Sequence, residues 1–312
     1  MSAVITPFQG TETFNTASFN NRISEINTGF SYVSNPNLLD NWYFANPVNQ
    51  RGQTEYTGAL SYTIDRWQLG DGNISLSVAD GGIALKGGGV VGSDYIFTRV
   101  ERLPVAKYTY TILFSGNTDQ VVLSSKLTDA GVVTAVTSRA ASGVLSLTWD
   151  QTTEFTSSDA FLRIHAPGSV NILAAKLELG STQTLAHKEG ERWVLNEVPD
   201  YGEQLRRCQR DYLRIKASSS YMRFGVSTPY TDTSAGAFIQ FPNQMRAVPV
   251  LSFGGNFALF DGDQFHSVTL SSDTMSPYNA TLRLTGSTQP TKGAQLLAYN
   301  DDNAYIAFSA DL

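Results

Sequence analysis

Five side chains in the C-terminal third are of the types that hold a sugar ring. They are Tyr230 in "STPYTDTSAG", Phe265 and His266 in "FDGDQFHS", Tyr278 in "MSPYNA" and Tyr299 in "AYNDDN". A sugar ring offers flat C–H faces that pack on an aromatic ring, while its hydroxyls need amides, hydroxyls or carboxylates beside that ring. An apolar wall with a few placed polar groups is the general form of such a pocket. Aromatics near turns, flanked by Asp and Asn, are better contact candidates than aromatics inside strands. The competing reading for each one alone is a partly packed loop ring. Trp42, Tyr43, Trp67 and Trp149 are further aromatic candidates, but Trp42 in "LLDNWYF" and Trp67 in "YTIDRW" lie in strand-like contexts and read as core.

Catalytic chemistry finds little support. His165, His187 and His266 are the three histidines, and none stands in a metal-ligand spacing such as H-x-x-x-H. There is no G-x-S-x-G elbow and no phosphate loop; "KGGGVVG" has no following helix and reads as a turn. The single cysteine, Cys208, falls on an apolar seam and reads as a buried structural thiol, so no intrachain disulfide can form. Cutting a glycan takes only two carboxylates at a suitable separation. Asp65, Asp80, Glu154 and Glu178 are scattered, and "DGD" at 261–263 reads as a hairpin turn before it reads as a calcium fragment. The expectation is therefore a protein without catalytic residues, cofactor or bound metal.

The elements that must position these residues fall into four segments. In 1–34, Phe19, Ile23, Ile26, Phe30 and Val33 follow the four-three-four-three spacing of a coiled-coil seam, and Ile at both a and d leans toward three strands. The plainer alternative is one amphipathic helix lying on a neighbouring domain. Residues 35–182 hold runs such as "SLSVA", "YTYTILFSG" and "VNILAAKLEL", punctuated by "GDGN", "ADGG" and "SGNTD", which predict an antiparallel β-sandwich. Residues 183–216 concentrate charge. There Tyr201, Leu205, Cys208, Tyr212 and Ile215 repeat the seam spacing, Asp200 is a natural N-cap, and Glu203 follows as in a capping box. That predicts an amphipathic connector helix over 200–216. Residues 217–312 return to strands and predict a second β domain.

Composition sets outer limits. A net charge of −6 argues against a nucleic-acid partner, since phosphate binding needs a dense basic face. No apolar run reaches the length of a membrane span, and the opening "MSAVITPFQGTETF" lacks the basic and apolar regions of a signal peptide. The expectation is no membrane insertion and synthesis in a cytoplasm.

Several stretches together resemble a known group. "NLLDNWYFANPVNQRGQ…YTGA…YTIDRW", then "KLELGSTQTLA" from Lys176 to Ala186, then "DYGEQLRRCQRDY" from Asp200 to Tyr212 occur in this order in tail-fibre and receptor-binding proteins of bacteriophages and prophages. The middle module is similar to carbohydrate-binding jelly rolls that open on an "N-L-L-x-N" strand, and "FPNQMRAVPVLSF" with "AYIAFSADL" resembles the small β knobs at fibre tips. This resemblance spans roughly residues 35–312. It implies a jelly-roll sandwich, a C-terminal β-sandwich knob, a homotrimer, partnership with other phage tail proteins, a place in the virion tail, and adhesion to bacterial surface polysaccharide. Two other functions stand beside it: a tail-associated glycan depolymerase with paired carboxylates, and a structural spacer whose middle domain binds nothing.

Overall fold

The computed structural model describes residues 34–90, 92–126, 133–155, 161–288, 290 and 292–311, so the coiled-coil seam expected at 19–33 lies outside the described residues. The chain is mainly β and divides into two units, Met1–Pro47 with Gln53–Asp200, and Val48–Gly52 with Tyr201–Leu312.

The strands of the first unit are β1 (Glu55–Tyr56), β2 (Trp67–Leu69), β3 (Ser75–Ala79), β4 (Gly82–Lys86), β5 (Tyr95–Arg99), β6 (Ala106–Ser115) and β7 (Val121–Lys126). They continue with β8 (Val133–Ser138), β9 (Gly143–Gln151), β10 (Phe161–His165), β11 (Ser169–Leu179) and a hairpin of β12 (Ala186–Glu189) and β13 (Arg192–Leu195). A six-stranded sheet, β1-β3-β4-β11-β6-β9, faces a five-stranded one, β2-β5-β10-β7-β8. Leu76, Ile83, Leu85, Ile112 and Ile172 of the first sheet share one core with Ile96, Leu123, Leu162 and Ile164 of the second. This is the expected sandwich. Its alternation of inward apolar and outward residues follows from the two-residue period of a strand.

Trp42, Tyr43 and Phe44 do not form the regular opening strand that the sequence suggested. The segment is irregular, yet it lies along β11: Leu38 N–H donates to the Leu177 carbonyl (2.8 Å), Ala175 N–H to Trp42 (3.0 Å) and Phe44 N–H to Leu173 (3.0 Å). Trp42 and Phe44 are buried, and the Phe44 ring meets Trp67 edge-on at 5.0 Å. Trp67 Nε1 donates to the Asn41 carbonyl (3.0 Å), and Asn41 Nδ2 donates to that of Asp65 (2.7 Å). Burying each such ring contributes about 1.5–3 kcal/mol. The tryptophans at 42 and 67 are core, as their contexts predicted.

The second unit holds α1 (Tyr201–Cys208), the only helix among the described residues, and nine strands. They are β14 (Tyr212–Lys216), β15 (Arg223–Thr231), β16 (Ser234–Gln240), β17 (Val250–Gly254), β18 (Phe257–Phe260), β19 (Phe265–Met275), β20 (Asn279–Thr285), β21 (Ala294–Ala298) and β22 (Tyr305–Ser309). Six of them close a barrel, β15-β16-β20-β19-β18-β21, and a separate sheet runs β14-β22-β17. The expected knob is thus a barrel with a small sheet rather than a sandwich, and closure removes the edges a sandwich would leave.

The connector helix is also corrected. It stops at Cys208, with Arg210 N–H to Arg207 O (3.1 Å) and Asp211 N–H to Cys208 O (3.0 Å) tightening the end into i to i+3 bonds. Residues 212–216, "YLRIK", form a strand on β22, with Leu213 opposite Phe308. Their apolar positions fit a two-residue period as well as the heptad, and tertiary pairing decides between them. Glu203 meets the side chains of Arg206 (2.5 Å) and Arg207 (3.1 Å), whose hydrogen bonds hold its carboxyl below the usual range. Cys208 is buried, as expected, and is not in a disulfide.

Candidate functional site

The hairpin β18–β19 places the first pair of rings. Phe260 and Phe265 are register partners either side of the 261–264 turn and stack at 4.7 Å. "DGD" is a turn because Asp261 Oδ1 accepts the N–H groups of Asp263 and Gln264, both at 2.9 Å. His266 closes the turn from the other face of the strand: Nε2 lies 3.2 Å from Asp261 Oδ2 and Nδ1 3.4 Å from Thr288 Oγ1. The backbone bonds from Gln264 and Asp263, then the one from His266, hold the Asp261 carboxyl far below its ordinary value.

Two further rings complete an outward aromatic cluster. Phe265 lies 5.3 Å from Tyr299 and 5.4 Å from Tyr221, and Tyr221 meets Tyr299 at 6.0 Å in a T-shaped contact. Tyr221 has a left-handed backbone (φ 66°); its N–H donates to the Ala298 carbonyl (3.0 Å) and its hydroxyl to Asn300 Oδ1. Asn300 is itself left-handed (φ 52°). Asp301 fixes this corner by accepting from Asn303 N–H (2.9 Å) and Asn256 N–H (3.0 Å), and these bonds lower its carboxyl pKa. Residue 255 must be glycine: φ is +94°, and a Cβ there would come within 2.5 Å of Asp301 Oδ2 and 2.6 Å of Ala304 Cα.

Beside the cluster runs an open groove of about 510 Å³, lined by Phe253, Asn256, Ser267, Thr269, Tyr299 and Asn300 among others. No carboxylate is among the described residues lining it. Its volume is in the range of small-ligand sites, and rings beside amides and hydroxyls are the apolar wall and polar points that a sugar needs. This geometry can stack a ring and bond hydroxyls. It does not present the two acids that hydrolysis requires.

Of the five residues singled out from sequence, Phe265 and Tyr299 come together here, and His266 braces the turn beneath them. Tyr230 stands elsewhere on the barrel. Its ring lies over Gly236, where a Cβ would sit 2.1 Å from the hydroxyl oxygen, with Arg283 5.7 Å from the ring centroid and Asp273 Oδ2 3.4 Å from the hydroxyl. Tyr278 is exposed in the β19–β20 turn, where Ser276 Oγ accepts its N–H (3.2 Å), and it makes no ring contact with the cluster. Sequence reasoning missed Tyr221, Phe260, Asn256 and Asn300. Phe260 was within reach, because residues flanking a short hairpin turn face each other across the strand pair. Tyr221 gave no signal, since nothing in "SSSYMRFG" announces a left-handed tyrosine.

In the first unit the scattered carboxylates have separate settings. Glu178 is buried and accepts from the N–H (2.7 Å) and hydroxyl of Thr184. Asp65 is buried, and Glu154 pairs with Arg102 at the surface. Trp149 is half-buried and stacks on Tyr108 at 5.7 Å. Among the described residues no three His, Cys, Asp or Glu gather as a metal site, and no helix is long and apolar enough to cross a membrane.

No protein-family model matches the sequence, and no curated protein matches it. Among solved structures the chain is similar to the N-terminal tandem domain (CBM22-1-CBM22-2) of Xyn10C from Paenibacillus barcinonensis, at 8% identity and a TM-score of 0.32, over 88% of this chain and 98% of that one. It is also similar to a protein of Bacteroides thetaiotaomicron VPI-5482 provisionally named as sugar binding, at 13% identity and a TM-score of 0.31, over 46% of this chain and all of that one (100%). These are loose likenesses, and the functional reading rests on the residues above.

Proposed function

We propose that this chain is a receptor-binding tail-fibre protein of a bacteriophage or prophage that adheres to bacterial surface polysaccharide without cleaving it. The observation that carries the adhesion is the Tyr221–Phe265–Tyr299 cluster standing beside a groove of amides and hydroxyls. The reading of binding without cleavage is supported by a groove lining whose described residues include no acid. The fibre role is supported by the order of the "NLLDNWYF", "KLELGS" and "LRRCQRDY" stretches, and by the heptad spacing at 19–33 that suits a homotrimer. Three copies of a weak sugar site would supply avidity that a single groove lacks. In this reading the protein sits in the virion tail with other tail proteins and needs no cofactor.

The test is an array of neutral bacterial polysaccharides probed with the full chain and with Tyr299→Ala. We expect binding by the wild type and a loss on the order of tenfold in the variant, the scale of one well-packed ring contact. Light scattering on the same samples should give the mass of three chains. A monomer that binds no polysaccharide would end the proposal. Shortening of the polymer during incubation would replace it with the depolymerase reading.

A further inference from the structure

A second aromatic surface lies in the first unit, and its chemistry differs from the groove. Tyr95, Phe97 and Arg99 on β5 alternate with Ile96 and Thr98, so they share the outer face of the five-stranded sheet; Tyr95 and Phe97 are buried there beneath their neighbours, and Arg99 is partly exposed. Register sets Arg163 of β10 opposite Phe97, and Phe161 opposite Arg99. On the other side of β10, Lys126 of β7 stands opposite Phe161. Cations and rings therefore interleave. The Arg163 guanidinium lies 4.6 Å from the Tyr95 centroid and 5.4 Å from that of Phe161; Arg99 lies 5.2 Å and Lys126 6.0 Å from Phe161.

Stacked guanidinium groups can simply roof apolar rings, and that would explain the contacts. It leaves the charge unexplained. Arg99, Arg163 and Lys126 have no carboxylate partner among the described residues, although the whole chain is acidic at −6. The Nε atoms of Arg99 and Arg163 are buried with no hydrogen-bond partner. Asp71 is held at the Tyr95 hydroxyl at the rim of this face. Arg99, Arg163, Phe161 and Lys126 are all partly exposed, so the face is open to a ligand. Planar guanidinium groups bond oxyanions in two-point fashion, and the rings between them suit a carbon skeleton.

We propose that the outer face of the five-stranded sheet binds an oxyanion carried on a polymer, either the carboxylate of a uronate or the phosphate of a polyol chain. The guanidinium groups of Arg99 and Arg163 bond the oxyanion, Lys126 adds charge at the edge, and the partly exposed Phe161 packs the carbon chain. This is separate from the proposal for the second unit and stands or falls without it.

The test uses the full chain carrying Tyr299→Ala, so that the groove contributes little. Binding to polygalacturonate, poly(glycerol phosphate) and neutral dextran is measured by calorimetry, for this background and with Arg99→Gln/Arg163→Gln or Lys126→Glu added. The expected result is binding to one or both anionic polymers and none to dextran. The double variant should lose on the order of tenfold or more, and Lys126→Glu a few-fold. Binding to polygalacturonate alone assigns a carboxylate, to poly(glycerol phosphate) alone a phosphate, and to both a shared oxyanion site. Circular dichroism checks folding; if the double variant unfolds, Lys126→Glu decides. Unchanged affinity in the folded variants, or no anionic binding by the background protein, overturns the proposal.

Discussion

On the barrel of the second unit, Tyr221, Phe265 and Tyr299 stand beside Asn256, Asn300 and Ser267; on the sandwich of the first, Tyr95, Phe97 and Phe161 stand beside Arg99, Arg163 and Lys126. Rings stand among the polar groups in both places, so in the proposed readings the neighbours set the sign of the ligand. The supports differ as well. The neutral cluster depends on loop geometry, with two left-handed side-chain-bearing residues, a required glycine and an aspartate lock. The cationic face depends on strand register alone, which the buried core on the other side of the sheet enforces. One surface should therefore fail when a loop is loosened, and the other only when the core is opened.

The largest expected effect comes from opening that core. Phe44→Ala removes a fully buried ring packed edge-on against Trp67 and should cost about 3–5 kcal/mol of stability. Denaturant unfolding followed by tryptophan fluorescence would measure it, since all four tryptophans belong to the first unit. Anion binding should weaken with it. If anion binding survives a core loss of this size, register is not what builds the cationic face.

Gly255→Ala is the matching break in the loop-built site. The left-handed backbone and the 2.5 Å approach to Asp301 Oδ2 together should cost about 1–3 kcal/mol and displace the corner that carries Tyr299 and Asn300. Neutral polysaccharide binding should fall as far as it does in Tyr299→Ala, while anion binding stays unchanged. Salt sharpens the contrast without any mutation. Raising NaCl from about 0.1 M to 1 M shortens the screening length from about 10 Å to 3 Å. The anionic polymer should dissociate over that range, and the neutral one should stay bound.

The two surfaces were unequally legible in the sequence. The strands of the sandwich, the core roles of Trp42 and Trp67, the turn at 261–263 and the buried Cys208 all followed from local period and turn chemistry. Phe265 and Tyr299 were marked by their Asp- and Asn-rich turns. Tyr221 was not, because its place comes from a left-handed backbone and a contact with Asn300, seventy-nine positions away. The cationic face was missed for a similar reason. Arg99, Lys126 and Arg163 lie on three strands far apart in sequence, and only the pairing of β5, β10 and β7 brings them side by side. The helix over 200–216 was overextended because "YLRIK" satisfies two periods, and only the partner strand β22 selects between them.

The smallest expected effect is a pH response of the loop-built site. Asp261 and Asp301 both have folded pKa values depressed below the ordinary carboxylate value, chiefly by backbone N–H bonds. A depressed acid contributes stability that is complete above its unfolded pKa of about 3.9, and that is lost as pH falls through the folded value. Between pH 7 and 5 neither turn should change. Below about pH 4 the unfolded chain takes up protons that the folded turns resist, and the melting temperature of the second unit should decline. Asp261→Asn keeps an acceptor at Oδ1 for the N–H groups of Asp263 and Gln264 but removes the titration, so its decline should be shallower than that of the wild type. A wild type and Asp261→Asn that decline in parallel would show that the turn carboxylate does not hold the ring cluster, leaving Asp301 and Gly255 as its supports.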